Sequence, residues 1–135
     1  MASEANTIRY VFQVEPCPAP RMTRRDKWKK RPCVMRYFAF RDEIRLQMRR
    51  VGLVPPKSDF HITFYVGMPE SWSRKKKDEM DGQPHQVRFD LDNAMKAWMD
   101  SVFEEDGCVW DFRATKRWSS NPRIEIVVPD LENQA

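Results

Sequence analysis

Strict alternation of apolar and polar residues over residues 58–68 limits the possible folds more than any other feature. The stretch reads SDFHITFYVGM and places Phe60, Ile62, Phe64 and Val66 at every second position. Successive side chains of a strand point to opposite faces, so this pattern predicts a strand that buries one face. Such a strand requires neighbouring strands at its edges and a second layer packed on its apolar face.

Three weaker alternating segments predict the other strands. They are residues 7–14, 109–118 and 123–128. Residues 119–122, SSNP, form a turn signal between the last two. We therefore expect those two strands to pair as a hairpin.

Helical periodicity occupies the segments between the strands. Apolar residues recur every three or four positions over residues 37–51 and again over residues 91–104, which predicts two amphipathic helices. A shorter helix is expected within residues 70–86, capped by Ser71 or Ser73. Together these elements predict an α+β fold, a single compact domain with a mixed sheet of about four strands and two main helices packed on it.

Length and composition fit one domain spanning residues 1–135. A chain of 135 residues with 41% hydrophobic residues can bury a core without disulfides. Residues 1–6 and 130–135 are expected to fray. No apolar run approaches a membrane span, the first residues lack a secretory pattern, and the three cysteines are widely spaced. We therefore expect a cytoplasmic protein.

Charge is divided into a basic block and an acidic block. Residues 21–50 contain 12 Arg or Lys against 3 acidic residues, whereas residues 78–111 contain 10 Asp or Glu against 2 basic residues. Either block alone could equally be a solvated surface. Both in one small domain favour a protein that binds nucleic acid and a divalent cation. The Pro- and Arg-rich residues 16–36 are expected to form a basic substrate loop.

Asp90 and Asp92 are the centre of the acidic block. Residues two apart on an extended backbone point the same way, so these carboxylates are expected to converge on Mg²⁺ or Mn²⁺. Lys96 lies one helical turn after Asp92, where it can hold a carboxylate or stabilise charge on a phosphate during transfer. The alternative is a helix cap at Asp92 or Asn93 with a surface salt bridge. His85 either contacts substrate or caps the preceding loop.

These motifs resemble those of the RusA-like Holliday junction resolvases, small Mg²⁺-dependent endonucleases of bacteria and their prophages. Residues 90–100, DLDNAMKAWMD, look like the family's Asp-x-Asp-Asn-x-x-Lys-x-x-x-Asp helix start. Residues 82–89, GQPHQVRF, look like the segment that precedes this helix in phage-type members of the family. Residues 16–25, PCPAPRMTRR, are similar to the family's N-terminal substrate loop. The segment EEDGCVWDFRATKRW resembles the family's closing segment.

The resemblance implies a magnesium site in which Asp90, Asp92 and one later aspartate bind the metal while Lys96 assists. It also implies a compact homodimer whose two sites nick two opposed strands. A homodimer suits a four-way junction because the junction is roughly two-fold symmetric and needs two cuts.

Two residues compete for the role of the later aspartate. The family has Asp-Asp before the last strands, where this chain has Glu105 and Asp106, and Asp106 lies ten residues before Lys116. Counting forward from Asp90 by the family's usual separation reaches Asp111 instead. We expect Asp106 to be the third ligand, with Asp111 as the second choice.

The implied function is hydrolysis of phosphodiesters at opposed positions of a four-way DNA junction, in recombination or repair. The alternatives are a non-catalytic DNA-binding phage protein on the same fold and a nuclease for other branched DNA. Basic residues of the loop, of the short helix and of the closing segment are expected to bind DNA. They are Arg21, Arg24, Arg25, Lys27, Lys29, Lys30, Arg31, Arg74, Lys75, Lys76, Lys77 and Lys116.

Overall fold

A four-stranded mixed sheet forms one layer of the fold. In the computed structural model, which describes residues 6–20 and 31–130, the strands are β1 (Thr7–Phe12), β2 (Phe60–Gly67), β3 (Phe112–Ser119) and β4 (Arg123–Pro129). They are ordered β1-β4-β2-β3. Strand β4 pairs antiparallel with both β1 and β2, and β2 pairs parallel with β3. The predicted α+β domain with a sheet of about four strands is confirmed.

The structure describes three helices, of which the first and the third form the second layer. They are α1 (Pro32–Val51), α2 (Arg74–Met80) and α3 (Leu91–Val102), and a single 3₁₀ turn follows at Asp106–Cys108. Helices α1 and α3 correspond to the two predicted amphipathic helices and carry buried apolar stripes, whereas α2 buries no residue. Among the described residues, no helix is both long and apolar enough to cross a membrane.

The core lies between the helices and one face of the sheet. The strand residues of the buried apolar cluster are Phe12, Phe60, Ile62, Phe64, Ile124 and Ile126, which the strand register places on a common face. Trp98 of α3 is fully buried, with its ring centroid 5.3 Å from that of Phe12. Truncating such a residue to Ala typically costs about 3–5 kcal/mol. The alternation in β2 therefore correctly predicted its buried face.

The expected hairpin between the last two strands is wrong, because β2 lies between β3 and β4. Alternation shows which face a residue occupies, but it does not show which strand lies alongside. The chain crosses the end of β2 at Gly67, where an added Cβ would lie 3.1 Å from Cγ of Pro122 and 3.0 Å from Oε1 of Glu15. The close crossing therefore depends on a residue without a side chain.

Helix α1 begins earlier than its periodicity indicates. It starts at Pro32 and not at Tyr37, because proline suits a first helical position, where no N–H is needed. The expected substrate loop over residues 16–36 therefore ends at Arg31. Residues 21–30 of that loop and both expected frayed ends, apart from residues 6 and 130, lie outside the described residues.

Other boundaries differ by a few residues. Strand β1 ends at Phe12, and β3 begins at Phe112. Ser73 caps α2 by accepting a hydrogen bond from the backbone N–H of Lys76 at 3.1 Å, as one of the two predicted caps. The cap of α3 is Asp90, so the prediction of Asp92 or Asn93 is wrong.

Candidate functional site

The N-terminus of α3 presents the first predicted metal ligand to solvent. Asp90 is the N-cap residue, with an extended backbone at φ −71° and ψ 147°, and its side chain makes no capping hydrogen bond. Its carbonyl accepts the first helical bond, from the backbone N–H of Ala94 at 3.1 Å. Capping aspartates usually accept a bond from the first helical turn. The carboxylate of Asp90 is exposed and makes no capping bond, so it can bind a ligand.

Asp92 lies in the first turn of the same helix. Its side chain is exposed, and its Oδ1 accepts a hydrogen bond from the backbone N–H of Asn93 at 3.0 Å. The positive end of the helix dipole favours carboxylates in this turn. Two exposed carboxylates at neighbouring positions on one helix end are an oxygen donor set of the kind that Mg²⁺ and Mn²⁺ prefer.

Lys116 of β3 holds the backbone that leads into Asp90. Its ammonium donates hydrogen bonds to the carbonyls of Val87, at 3.0 Å, and Phe89, and it lies 5.6 Å from the centre of the Phe89 ring. Burial lowers the pKa of Lys116, and the negative charge of Asp90 opposes that shift. Lys116 was predicted from the sequence to contact DNA. Its contacts with residues 87 and 89 could not be found from spacing, because 27 residues separate Lys116 from Phe89.

His85 packs beneath this segment. It is 5% exposed, its ring centroid lies 4.2 Å from that of Trp118 and 6.0 Å from that of Phe89, and its backbone N–H donates to the carbonyl of Lys116 at 3.0 Å. Burial, and then the charge of Lys116, lower the pKa of His85. Of the two roles open to His85, its burial favours ordering the loop over contacting substrate.

Lys96 lies on the exposed side of α3, with Asp100 as an ion-pair partner. Its Nζ is 3.4 Å from Oδ2 of Asp100, which also accepts a hydrogen bond from the Tyr37 hydroxyl at 3.1 Å. From the sequence, Lys96 was considered able to hold the carboxylate of Asp92, which lies one turn before it. The structure adds Asp100, one turn after Lys96, so this lysine lies in an i, i+4 pair that extends towards the helix end.

The two candidates for a third carboxylate lie in different places along the chain. Asp111 precedes β3, where its Oδ2 accepts from the backbone N–H of Asp59 at 3.3 Å. Asp111 lies five positions before Lys116 along extended chain, a span of roughly 16 Å. Asp106 begins the 3₁₀ turn just after α3, and its side chain is outside what the structure describes. Among the described side chains, which do not include that of Asp106, no three His, Cys, Asp or Glu residues form a group that could hold a metal.

The predicted DNA contacts of the short helix form an exposed basic surface. Arg74 of α2 lies 3.9 Å from Asp78, and the ammonium of Lys76 lies 4.4 Å from the centre of the Trp72 ring. Lys75 is exposed and Lys77 is half-buried. Arg31 precedes α1 and is described, whereas the other basic loop residues, Arg21, Arg24, Arg25, Lys27, Lys29 and Lys30, lie in the undescribed part of that loop.

Comparison with known proteins identifies the family of this chain. The family model of endodeoxyribonuclease RusA matches residues 13–129, which include every element from α1 to β4 and the N-terminus of α3. A search of curated proteins gave no match. Because the family match spans most of the sequence, the chain belongs to the RusA family of endodeoxyribonucleases.

Proposed function

We propose that this chain is a Mg²⁺-dependent endonuclease that resolves four-way DNA junctions by hydrolysing phosphodiesters in two opposed strands. Membership of the endodeoxyribonuclease family supports a nuclease. The observation that carries the proposal is the exposed carboxylate of Asp90, which makes no capping bond and follows backbone held by Lys116. Such a carboxylate contributes no capping bond to the helix, so its oxygens are available to bind a ligand.

The donor chemistry of the α3 N-terminus fits a hard divalent cation. Asp90 and Asp92 supply carboxylate oxygens, which suit Mg²⁺ and allow Mn²⁺ to substitute. We assign the third carboxylate to Asp106, on its ten-residue separation from Lys116, and keep Asp111 as the second choice. When bound, the cation supplies an activated water and neutralises charge on the scissile phosphate.

The remaining roles belong to this chain's cations. Lys96, exposed on α3 near the carboxylates, stabilises negative charge on the phosphate as it is transferred. The basic residues 21–31 and 74–77 bind the DNA backbone, which fixes the position of the junction without reading sequence. Two copies of the chain act as a homodimer in the cytoplasm, one copy for each cut strand.

The direct test uses an end-labelled four-way junction with and without Mg²⁺. Wild-type protein should cut it only with Mg²⁺, and Asp90→Asn should lower the cleavage rate by about a thousandfold, since a metal site contributes several kcal/mol to the barrier. Asp42→Asn is the matched control, because Asp42 is exposed on α1, is not part of the proposed metal site, and loses the same charge. Cleavage that survives Asp90→Asn unchanged would contradict the proposed site.

The same cleavage assay, together with a measurement of Mn²⁺ binding, tests which aspartate is the third ligand and which branched DNA is the substrate. Asp106→Asn and Asp111→Asn, tested side by side, distinguish the two candidates because only the ligand's replacement should remove both Mn²⁺ binding and cleavage. Junction binding without Mg²⁺-dependent cleavage would indicate a DNA-binding protein on the same fold. Faster cleavage of flaps or three-way branches would indicate a nuclease for other branched DNA.

A further inference from the structure

The sheet has one face against which no described helix packs. The described core lies entirely on the opposite face, beneath α1 and α3. The uncovered face carries Arg9 from β1, Arg123 and Glu125 from β4, His61 from β2, and Arg113 and Arg117 from β3. Val11, on the same face of β1, is 40% exposed, as expected for an uncovered surface.

One carboxylate neutralises only part of this positive charge. Glu125 is buried and accepts bonds from Arg9 at 2.9 Å and from Arg123 at 2.6 Å. The Arg123 guanidinium also lies 3.8 Å from the centre of the Tyr65 ring. Two arginines therefore share one negative charge, and the pairs fix side chains that would otherwise be mobile.

Among the described residues, no acidic side chain forms a salt bridge with Arg113 or Arg117, so both add positive charge to this face. They lie on the same side of β3, four residues and roughly 13 Å apart. Arg117 donates to the carbonyl of Gly82 at 2.8 Å, a neutral acceptor that leaves its charge uncompensated. Asp59 and Asp111 lie at the strand end next to Arg113, with the Asp111 carboxylate accepting from the Asp59 backbone.

Three of these arginines lie close enough to His61 for their charges to lower its pKa. Burial lowers the pKa of His61, and the charges of Arg113, Arg117 and Arg9 lower it further. Its Nε2 lies 2.8 Å from the Thr115 hydroxyl, which holds the ring in the sheet surface. The neutral form of His61 is thereby favoured, and the surface charge comes from the arginines.

A second copy of this chain is a poor occupant of such a face. An isologous dimer would place the face against itself, so four arginines and one glutamate would meet the same set. Like charges brought together in this way are repelled. A polyanion would neutralise the positive charges of these arginines. The fixed spacing of Arg113 and Arg117 along β3 suits the regular phosphates of a DNA backbone.

We propose that the uncovered sheet face is a second DNA-binding surface, which holds the phosphate backbone of a duplex arm that flanks the cut. The proposal rests on the proposed function, in which branched DNA is the substrate. Strand β3 connects the two surfaces. Lys116 reaches the backbone before Asp90 from one side of β3, while Arg117, the next residue, faces the uncovered side. An arm that leaves the α3 N-terminus around this sheet edge meets Arg113 and Arg117.

The test measures DNA affinity without chemistry, in Mg²⁺-free buffer, by fluorescence anisotropy of a labelled four-way junction. Arg113→Gln combined with Arg117→Gln should weaken binding about tenfold at roughly 0.1 M salt and reduce the log–log salt slope by about 2, or one unit for each phosphate that is no longer bound. Arg113→Gln alone should give about half of the slope change. Thermal unfolding of each variant shows that the fold is retained where Arg117 loses its bond to Gly82.

The matched control removes the same charge elsewhere. Arg49→Gln with Arg50→Gln lies on the exposed last turn of α1 and should leave affinity within about twofold, because screening limits distant charges. A sheet-face variant with wild-type affinity and slope overturns the proposal. A variant whose mass by light scattering changes while affinity per protomer does not would assign the face to a second copy.

Failure of the proposed function gives a different result. Wild-type protein that binds the junction but never cleaves it would remove the nuclease assignment while the affinity comparison still decides the role of the sheet face. Wild-type protein that binds neither the junction nor a plain duplex of equal length would overturn both.

Discussion

The ammonium of Lys116 is directed at the chain's own backbone. It donates to the carbonyls of Val87 and Phe89, directly before Asp90. Nothing in the sequence near Lys116 predicts this, since the contact depends on β3 lying beside the residues that enter α3. Asp90, Asp92 and Lys96, in contrast, lie within seven residues, so their proximity follows from helix geometry alone.

Replacing Lys116 by Met should therefore affect chemistry more than DNA affinity. Loss of two hydrogen bonds from a charged group should lower the free energy of unfolding by about 1–3 kcal/mol. A small displacement of Asp90 should slow single-turnover cleavage about 10- to 100-fold. Junction affinity in Mg²⁺-free buffer should stay within about twofold, since the phosphate contacts that we propose lie on residues 21–31, on α2 and on the uncovered sheet face.

Two comparisons separate this role from a DNA contact. Lys116→Arg retains a cationic donor and should recover part of the cleavage rate. Lys75→Met, on the exposed side of α2, should give the reverse pattern, weaker binding with a normal rate at saturating protein. If Lys116→Met instead weakened binding and left the saturated rate unchanged, the original prediction of a DNA contact would stand.

At the scale of elements, the sequence predicted which face of each strand or helix is buried better than it predicted which strands pair. Alternation in β2 and the stripes of α1 and α3 report burial, which is a property of each segment alone. The parallel pairing of β2 with β3 joins segments separated by two helices, and no local pattern encodes such a contact. The start of α1 was missed for a different reason, because the basic residues before Tyr37 show no helical periodicity and were assigned to a loop, although Pro32 suits a first helical turn.

The contact between α1 and α3 predicts a change of stability at high pH. Two main effects raise the pKa of Tyr37 to about 12. The larger is burial, and the next is the nearby Asp100 carboxylate, which accepts a hydrogen bond from the Tyr37 hydroxyl. The unfolded chain loses this proton near the ordinary tyrosine value of about 10. Between these values the folded state binds more protons, so stability should be level below about pH 10 and fall as the pH rises to about 12.

Urea unfolding across this range, compared between wild type and Tyr37→Phe, measures the effect. The variant should lose the part of the pH slope that Tyr37 contributes, while keeping whatever slope other groups cause. Absorbance of tyrosinate should show that Tyr37 titrates above the ordinary tyrosine value. Identical slopes in both proteins would contradict the assignment.

The end of α1 predicts a purely backbone effect. Gly52 caps this helix with φ 67° and ψ 24°, and its N–H donates to the carbonyl of Met48 at 3.0 Å. An added Cβ would meet no atom within 4 Å, so any cost comes from the left-handed conformation. Gly52→Ala should destabilise the protein by about 1 kcal/mol, and Gly52→Asn by less. Equal losses for Ala and Asn in thermal unfolding would contradict this origin.

At the scale of the whole molecule, the separation of charge observed in the sequence becomes a separation of surfaces. The acidic N-terminus of α3, the basic helix α2 and the uncovered sheet face lie on different parts of one small domain. Composition predicted that both charges would be used, since a metal site and a polyanion need opposite signs. It could not predict the arginines of the sheet, because β1, β3 and β4 each contribute only one or two of them.

The proposed homodimer gives the last prediction. Light scattering should give a mass twice the 16.2 kDa of the chain. A protomer with one set of carboxylates can cut one strand, so both cuts at a junction require two competent protomers. Mixing wild-type protein with an excess of tagged Asp90→Asn, followed by purification on the tag, yields dimers that contain at most one active site.

Such mixed dimers should nick a cruciform in a supercoiled plasmid without linearising it. Wild-type dimers should give linear plasmid, and Asp90→Asn dimers should give neither product. A matched mixture made with tagged Asp42→Asn should linearise the plasmid, because that substitution lies on α1 and leaves both sites intact. Linear product from the Asp90→Asn mixed dimers at the wild-type rate would show that one site makes both cuts, and the two-fold arrangement would then lose its physical basis.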